Sequence, residues 1–237
     1  VGMYLDGVYL GKGQGAIFDV VDLERVEILR GPQGTLYGRN TLGGAINLIS
    51  KKPSGAGTSA KVTFGNYGLK KTQLISDLAM GENLFTKIIL NHKSRDGYVK
   101  NAASPYQASE GVVPNTVSSH DALDTIDSRG YKFAIAYEGD STSIDLSFDR
   151  TDQDNIPPFA QLTNTIPNWS DAFGVGGGPL TGGLKLWPIE MFKNSDRQGT
   201  AHINTSTYET SVVKGTSFTI AHDMSIGTLK AIWAKRK

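Results

Sequence analysis

Residues 23 to 53 read LERVEILRGPQGTLYGRNTLGGAINLISKKP. Val26 and Ile28 before the glycines, and Ala45, Ile46, Leu48 and Ile49 after them, form β-branched or apolar runs of strand length, separated by a stretch dense in Gly and Pro. The spacing predicts strand, tight irregular loop, strand. Pro32 fixes φ near −65° and has no N–H to donate, whereas Gly31, Gly34, Gly38, Gly43 and Gly44 can take positive φ or let another backbone approach closely. No helical period follows, which argues against a glycine-rich loop of a soluble α/β protein. A segment of this kind suits a compact domain confined inside something larger.

Two nucleotide-binding readings fail on spacing. A phosphate-cradling loop needs Lys and Ser/Thr after its second Gly, but Gly38 is followed by Arg39 and Asn40. Gly11, Gly13 and Gly15 in LGKGQGAIF are not spaced G-x-G-x-x-G and lack a βαβ setting.

Glu24, Arg25, Glu27, Arg30, Gly31, Pro32, Gly34, Leu36, Tyr37, Gly38, Gly43, Gly44, Asn47 and Lys51 stand in an order and spacing that resemble the plug domain of the TonB-dependent outer-membrane receptors. The resemblance implies an all-β-dominated fold: a plugged, roughly 22-stranded antiparallel transmembrane β-barrel. Residues 1–53 would be the C-terminal half of an α+β plug, and 54–237 the N-terminal part of the barrel, with about seven strands. It implies import of a scarce ligand, such as a ferric siderophore, vitamin B12 or a glycan, across the outer membrane of a Gram-negative bacterium. The implied partners are outer-membrane lipid, the ligand, and the TonB–ExbB–ExbD energy-coupling complex. TonB would engage a TonB box that, like a secretory signal, is expected outside this sequence. No cofactor is implied. A glycan-uptake or signalling variant of the same architecture, and a soluble β-sandwich binding module, remain as alternatives.

The rest of the chain fits a β protein that faces a membrane. Among 237 residues there are 28 Gly, 9 Tyr, 9 Phe and no Cys, with a formal charge of +1 that gives no electrostatic reason to expect nucleic acid. A mean hydropathy of −0.26 is compatible with a barrel, because only alternate residues of a spanning strand face lipid. At the N-terminus, VGMYLDGVYLG places Asp6-Gly7 between two β-prone runs, a strong hairpin signal. After the flexible SGAGTSA, strands are predicted at 59–66, 69–79, 83–94, 130–138, 142–150, 210–223 and 227–236. Short turns alternate with long polar connections, as in outer-membrane barrels with long external loops. Alternation predicts that Tyr131, Phe133, Ile135, Tyr137, Ile144, Leu146 and Phe148 face lipid, while Lys132, Ala134, Ala136 and the Asp series face the lumen. Leu74 and Ile75 are adjacent and must point opposite ways.

Enzyme chemistry finds little footing. His92, His120, His202 and His222 sit at no metal-ligand spacing, and no G-x-S-x-G elbow is present. Asp149, Asp152 and Asp154 read as solvated carboxylates or as a weak Ca²⁺ site without the EF-hand pattern. The resemblance implies instead a ligand site of Tyr37 and Arg39 near the plug apex, where Tyr37 either contacts ligand or packs the plug. It also implies a latch to the barrel wall through Glu27 and Arg30, for which a local Glu27–Arg30 pair is the simpler alternative. Trp169 and Trp187, in an aromatic-rich connection, are further ligand candidates.

Overall fold

The structure is a computed structural model and describes residues 1–11, 22–38, 40–102, 121–158, 199–201 and 208–237. The chain divides into two compact units. One comprises Val1–Arg95, Ile126–Asn155 and Glu209–Lys237, and the other Asp96–Thr125 and Ile156–Tyr208.

The larger unit holds two sheets. The first contains β1 (Gly2–Leu5), β2 (Val8–Tyr9), β3 (Leu23–Arg30) and β4 (Gly44–Ser50), in the order β2-β1-β4-β3. Asp6 and Gly7 both take positive φ, 51° and 82°, and join β1 to β2 in the tight hairpin that the sequence predicts. β1 runs parallel to β4 and β3 antiparallel to it, so the glycine-rich loop connects neighbouring strands. Leu5, Leu10 and Leu48 form the buried core of this sheet, with Met3, Leu23 and Ile46 packed against them. Gly44 shows why the loop needs glycine where it rejoins the sheet. Its φ is +124°, and a Cβ there would lie 2.4 Å from the Leu29 carbonyl oxygen. Gly34 and Gly43 depart from the expectation: neither takes positive φ, and a Cβ on Gly34 would meet nothing. Gly34 instead opens a single helical turn, α1 (Gly34–Tyr37), held by Tyr37 N–H donating to the Gln33 carbonyl at 2.9 Å. One turn is too short to leave a helical period in the sequence.

The second sheet has seven antiparallel strands: β5 (Gly57–Gly65), β6 (Leu69–Ala79), β7 (Leu84–Arg95), β10 (Ile126–Glu138), β11 (Thr142–Asn155), β13 (Glu209–Met224) and β14 (Gly227–Arg236). All seven predicted strands form, but β10 starts at Ile126 and β11 continues to Asn155, each beyond its predicted bound. These extensions are polar. Main-chain pairing carries on there without an apolar face to mark it, and His92–Asp127 at 3.2 Å and Arg150–Asp152 at 2.7 Å line it.

Register confirms the alternation. Leu74, Leu90 and Tyr131 stand side by side, as do Ile88, Phe133 and Phe148, and all six side chains are exposed. Ile75 pairs with Ile89 on the opposite face, where Asp77, Lys87, Lys132, Asp149, Ala134 and Ala136 are buried. The sheet is thus apolar on its free face and charged on its covered one, the reverse of a β-sandwich layer.

The smaller unit contains β8 (Val99–Asn101), β9 (Ala122–Leu123) and β12 (Thr200–Ala201), a three-stranded sheet in the order β12-β8-β9 around Val99, Leu123 and Ala201. Pieces of two and three residues are below the length at which alternation can be read.

Candidate functional site

The functional region is built where the four-stranded sheet and its C-terminal exit meet the charged face of the seven-stranded sheet. At the tip of the glycine-rich loop, Tyr37 sets its ring edge-on to Tyr4, with centroids 4.8 Å apart and planes at 66°. The Tyr4 hydroxyl donates to the Tyr37 carbonyl, and Tyr4 also packs against Tyr9, whose hydroxyl accepts from Asn40 Nδ2 at 3.2 Å. Thr41 Oγ1 closes the loop on the Gly38 carbonyl at 2.6 Å. Tyr37 remains half-buried, so one side of the ring is accessible.

Glu27 does not pair with Arg30. Residues three apart on a strand point to opposite faces, whereas Arg25, two residues away, shares the face of Glu27 and donates to it at 2.9 Å. Glu27 also accepts from Asn47 Nδ2 at 2.9 Å on the neighbouring strand. The Asn47 hydrogen bond first, then that of Arg25, holds the Glu27 carboxyl below its ordinary pKa against a smaller opposing effect of burial. The Arg30 side chain is exposed and makes no ion pair among the described residues.

Charges that link the two sheets lie elsewhere. Lys52, just past β4, reaches Asp145 on β11 at 2.7 Å and Glu138 on β10 at 3.6 Å. Loss of water lowers the proton affinity of Lys52, but the hydrogen bond and charge of Asp145, joined by Glu138, outweigh it and raise the pKa. Asp6, in the β1–β2 turn, accepts from the backbone N–H and hydroxyl of Ser50 at 2.8 and 2.7 Å. It shares a small space with Lys132 and with Asp149, which Arg236 grips at 2.8 Å. Deeper still, Lys87 and Asp77 face each other across β6 and β7 at 3.2 Å. A cavity of about 450 Å³, lined by Asp6, Arg25, Lys52, Asp145, Ser217 and Lys230 among others, runs between the sheets.

Sequence reasoning placed Lys132, Asp145 and Asp149 on the covered face but missed Lys52, Asp77 and Lys87 as cross-sheet groups. A charge at an inward-facing position of an alternating strand was the signal available for Asp77 and Lys87, whereas Lys52 stands just past β4 and carried none. Asp149, Asp152 and Asp154 do not converge. Odd and even positions separate, with Asp149 turned inward, Asp152 on Arg150, and Asp154 accepting from Thr210 at 3.4 Å. Among the described residues no group of three or more His, Cys, Asp or Glu is placed to hold a metal. Arg39, Trp169, Trp187, His120 and His202 lie outside the described residues.

Comparison with known proteins shows what this arrangement resembles. Residues 1–45 match the model of the TonB-dependent receptor plug domain. Over these residues the chain is similar to the TonB-dependent receptors. It is 30% identical over 97 residues to the catecholate siderophore receptor Fiu of Escherichia coli strain K12, covering 40% of this chain and 12% of that receptor. Against the pesticin receptor of Yersinia pestis it is 45% identical over 53 residues, covering 22% and 8%. Among solved structures, that of the ferric-catecholate import receptor Fiu from E. coli K12 superposes with a TM-score of 0.67 at 19% identity, covering 99% of this chain and 31% of that one. The ferric yersiniabactin uptake receptor FyuA from Y. pestis gives 0.63 at 17% identity, covering 99% and 32%. The chain therefore spans under a third of these relatives' length. The plug-domain match falls on the four-stranded sheet, within residues 1–45.

Proposed function

We propose that the chain serves TonB-dependent import of a ferric siderophore across the outer membrane of a Gram-negative bacterium. The observation that carries this reading is the pairing of a plug-family sheet with a wall whose charged face is turned to the plug and whose apolar face is free. In a bilayer that free face meets lipid, and the charged face stays in the lumen. Among the described residues β5 and β14 each have one unpaired side, which hydrocarbon does not tolerate, so in this reading further strands close the wall, to roughly 22. The plug would end near Pro53 and the barrel begin at Ser54.

Ligand would bind between the plug apex, at Tyr37 and Arg39, and the external connections that carry Trp169 and Trp187. Glu27 and Arg30 would latch the plug to wall strands beyond β14, and a TonB box ahead of Val1 would receive the TonB–ExbB–ExbD complex. The names of the relatives, receptors for catecholate siderophores and for ferric yersiniabactin, support an iron chelate as cargo. Titration of the purified full-length receptor with ferric catecholates, ferric hydroxamates and cobalamin tests this. Saturable binding of at least one ferric chelate is expected. Binding of cobalamin alone, or of no chelate, would overturn it.

A further inference from the structure

We propose that the Asp77–Lys87 pair of the wall is the fixed anchor of the plug, a clamp that holds the connecting segment Lys51–Gly55 while the sheet ahead of it moves. This rests on the import reading only in that the moving force is supplied at the plug. Asp77 and Lys87 are directly opposed in register, and each is only 3% exposed. A desolvated ion pair needs further hydrogen bonds to be tolerated, and here the connecting backbone supplies them. The Asp77 carboxylate accepts from the N–H groups of Ser54 and Gly55, both at 2.8 Å, and from the Ser54 hydroxyl at 3.2 Å. The Lys87 ammonium donates to the carbonyls of Lys51 and Lys52 at 3.2 and 3.1 Å and lies 3.4 Å from the carboxylate of Asp22.

The anion therefore grips amides and the cation grips carbonyls of one short stretch. A steric feature fixes the same stretch independently. Gly55 has φ of +74°, and a Cβ there would sit 3.0 Å from the Cβ of Ala79 on β6. Among the described residues no ion pair joins β1–β4 to the wall: Asp6 stands beside Lys132 and Val213 packs on the Leu5–Leu48 core, while Lys52–Asp145 belongs to the connecting segment and is solvent-exposed on the lysine side, where such pairs are weak and screened. A pull on the plug would thus strip β1–β4 from the wall and stop at Lys51. The fixed end then lets the sheet return to its original register.

Hydrogen exchange of the full-length receptor tests the clamp without any ligand. In Asp77→Ala and Lys87→Met the amides of Ser54 and Gly55 are expected to exchange at least tenfold faster than in the wild type. Gly55→Ala, which touches no wall charge, is expected to do the same and serves where a charge variant fails to assemble. Unchanged exchange at Ser54 and Gly55 in the variants that assemble would overturn the proposal. Single-molecule pulling from the N-terminal side of the plug provides the second readout. In the wild type extension is expected to stop at Ser50, whereas Lys87→Met should release 51–56 as well, about 20 Å at ~3.5 Å per residue. Release of that segment together with β4 in the wild type would also overturn it. Neither readout involves cargo, so a failure of siderophore import would show in uptake and leave these results standing.

Discussion

Glu27 shows at the level of one side chain how the plug is stitched. Its carboxylate joins β3 to β4 through Asn47 and is held below the ordinary carboxylate pKa by that bond and by Arg25. A group whose pKa is depressed on folding contributes stability above its unfolded value, and loses it as pH falls through the folded one. The β3–β4 contact is therefore expected to persist at pH 5 and to loosen only in acid below the usual carboxylate range of about 4.3. Exchange of the β3 and β4 amides across pH 3 to 7, corrected for intrinsic rates, checks this, and Glu27→Gln should remove the acid step. Tyr37 poses a different question, since its inner edge packs on Tyr4 while its other side is open. If the open side stacks on ligand, Tyr37→Ala should weaken equilibrium binding by about 1 to 3 kcal/mol. A variant that binds every wild-type ligand with unchanged affinity would leave Tyr37 with a packing role alone.

At the scale of elements, the strands of the seven-stranded sheet were legible because one of its faces is apolar and exposed and the other charged and covered. Period-2 alternation records that difference directly in Tyr131 through Tyr137 and Ile144 through Phe148. The strand ends were not legible, because Asp127 to Arg129 and Thr151 to Asn155 pair through their backbone and carry no apolar stripe. The cross-sheet contacts were hidden for another reason: Asp77 meets Ser54 and Lys87 meets Lys51 at sequence separations of 23 and 36, which no local pattern encodes. The Glu27–Arg30 alternative failed on strand parity, which the sequence does hold once the segment is read as a strand. Parity also supplies a test. In the full-length receptor, cysteines at Phe133 and Phe148 are expected to react with a lipid-phase probe, and cysteines at Lys132 and Ala134 to stay silent. The reverse pattern would mean a register shifted by one residue, since such a slip exchanges the two faces.

For the molecule as a whole, the proposed arrangement is a plug sheet tied at its C-terminal exit to a wall that is apolar on its free face and charged on its covered one. In the proposed transport cycle the plug moves, and the wall groups Asp77 and Lys87 set which part of it can move. The family was legible from the glycine-rich loop, where backbone geometry restricts residue choice. The cargo was not, because the residues proposed to meet it, Arg39, Trp169 and Trp187, stand in connections that carry no repeating pattern. Uptake of radiolabelled iron, measured with and without TonB in cells whose only receptor for the tested siderophore is the full-length protein, tests the proposed import. Saturable accumulation of iron from a ferric siderophore is expected when TonB is present, and its loss when TonB is absent. Equal accumulation in both strains, or none from any siderophore that the purified receptor binds, would contradict it.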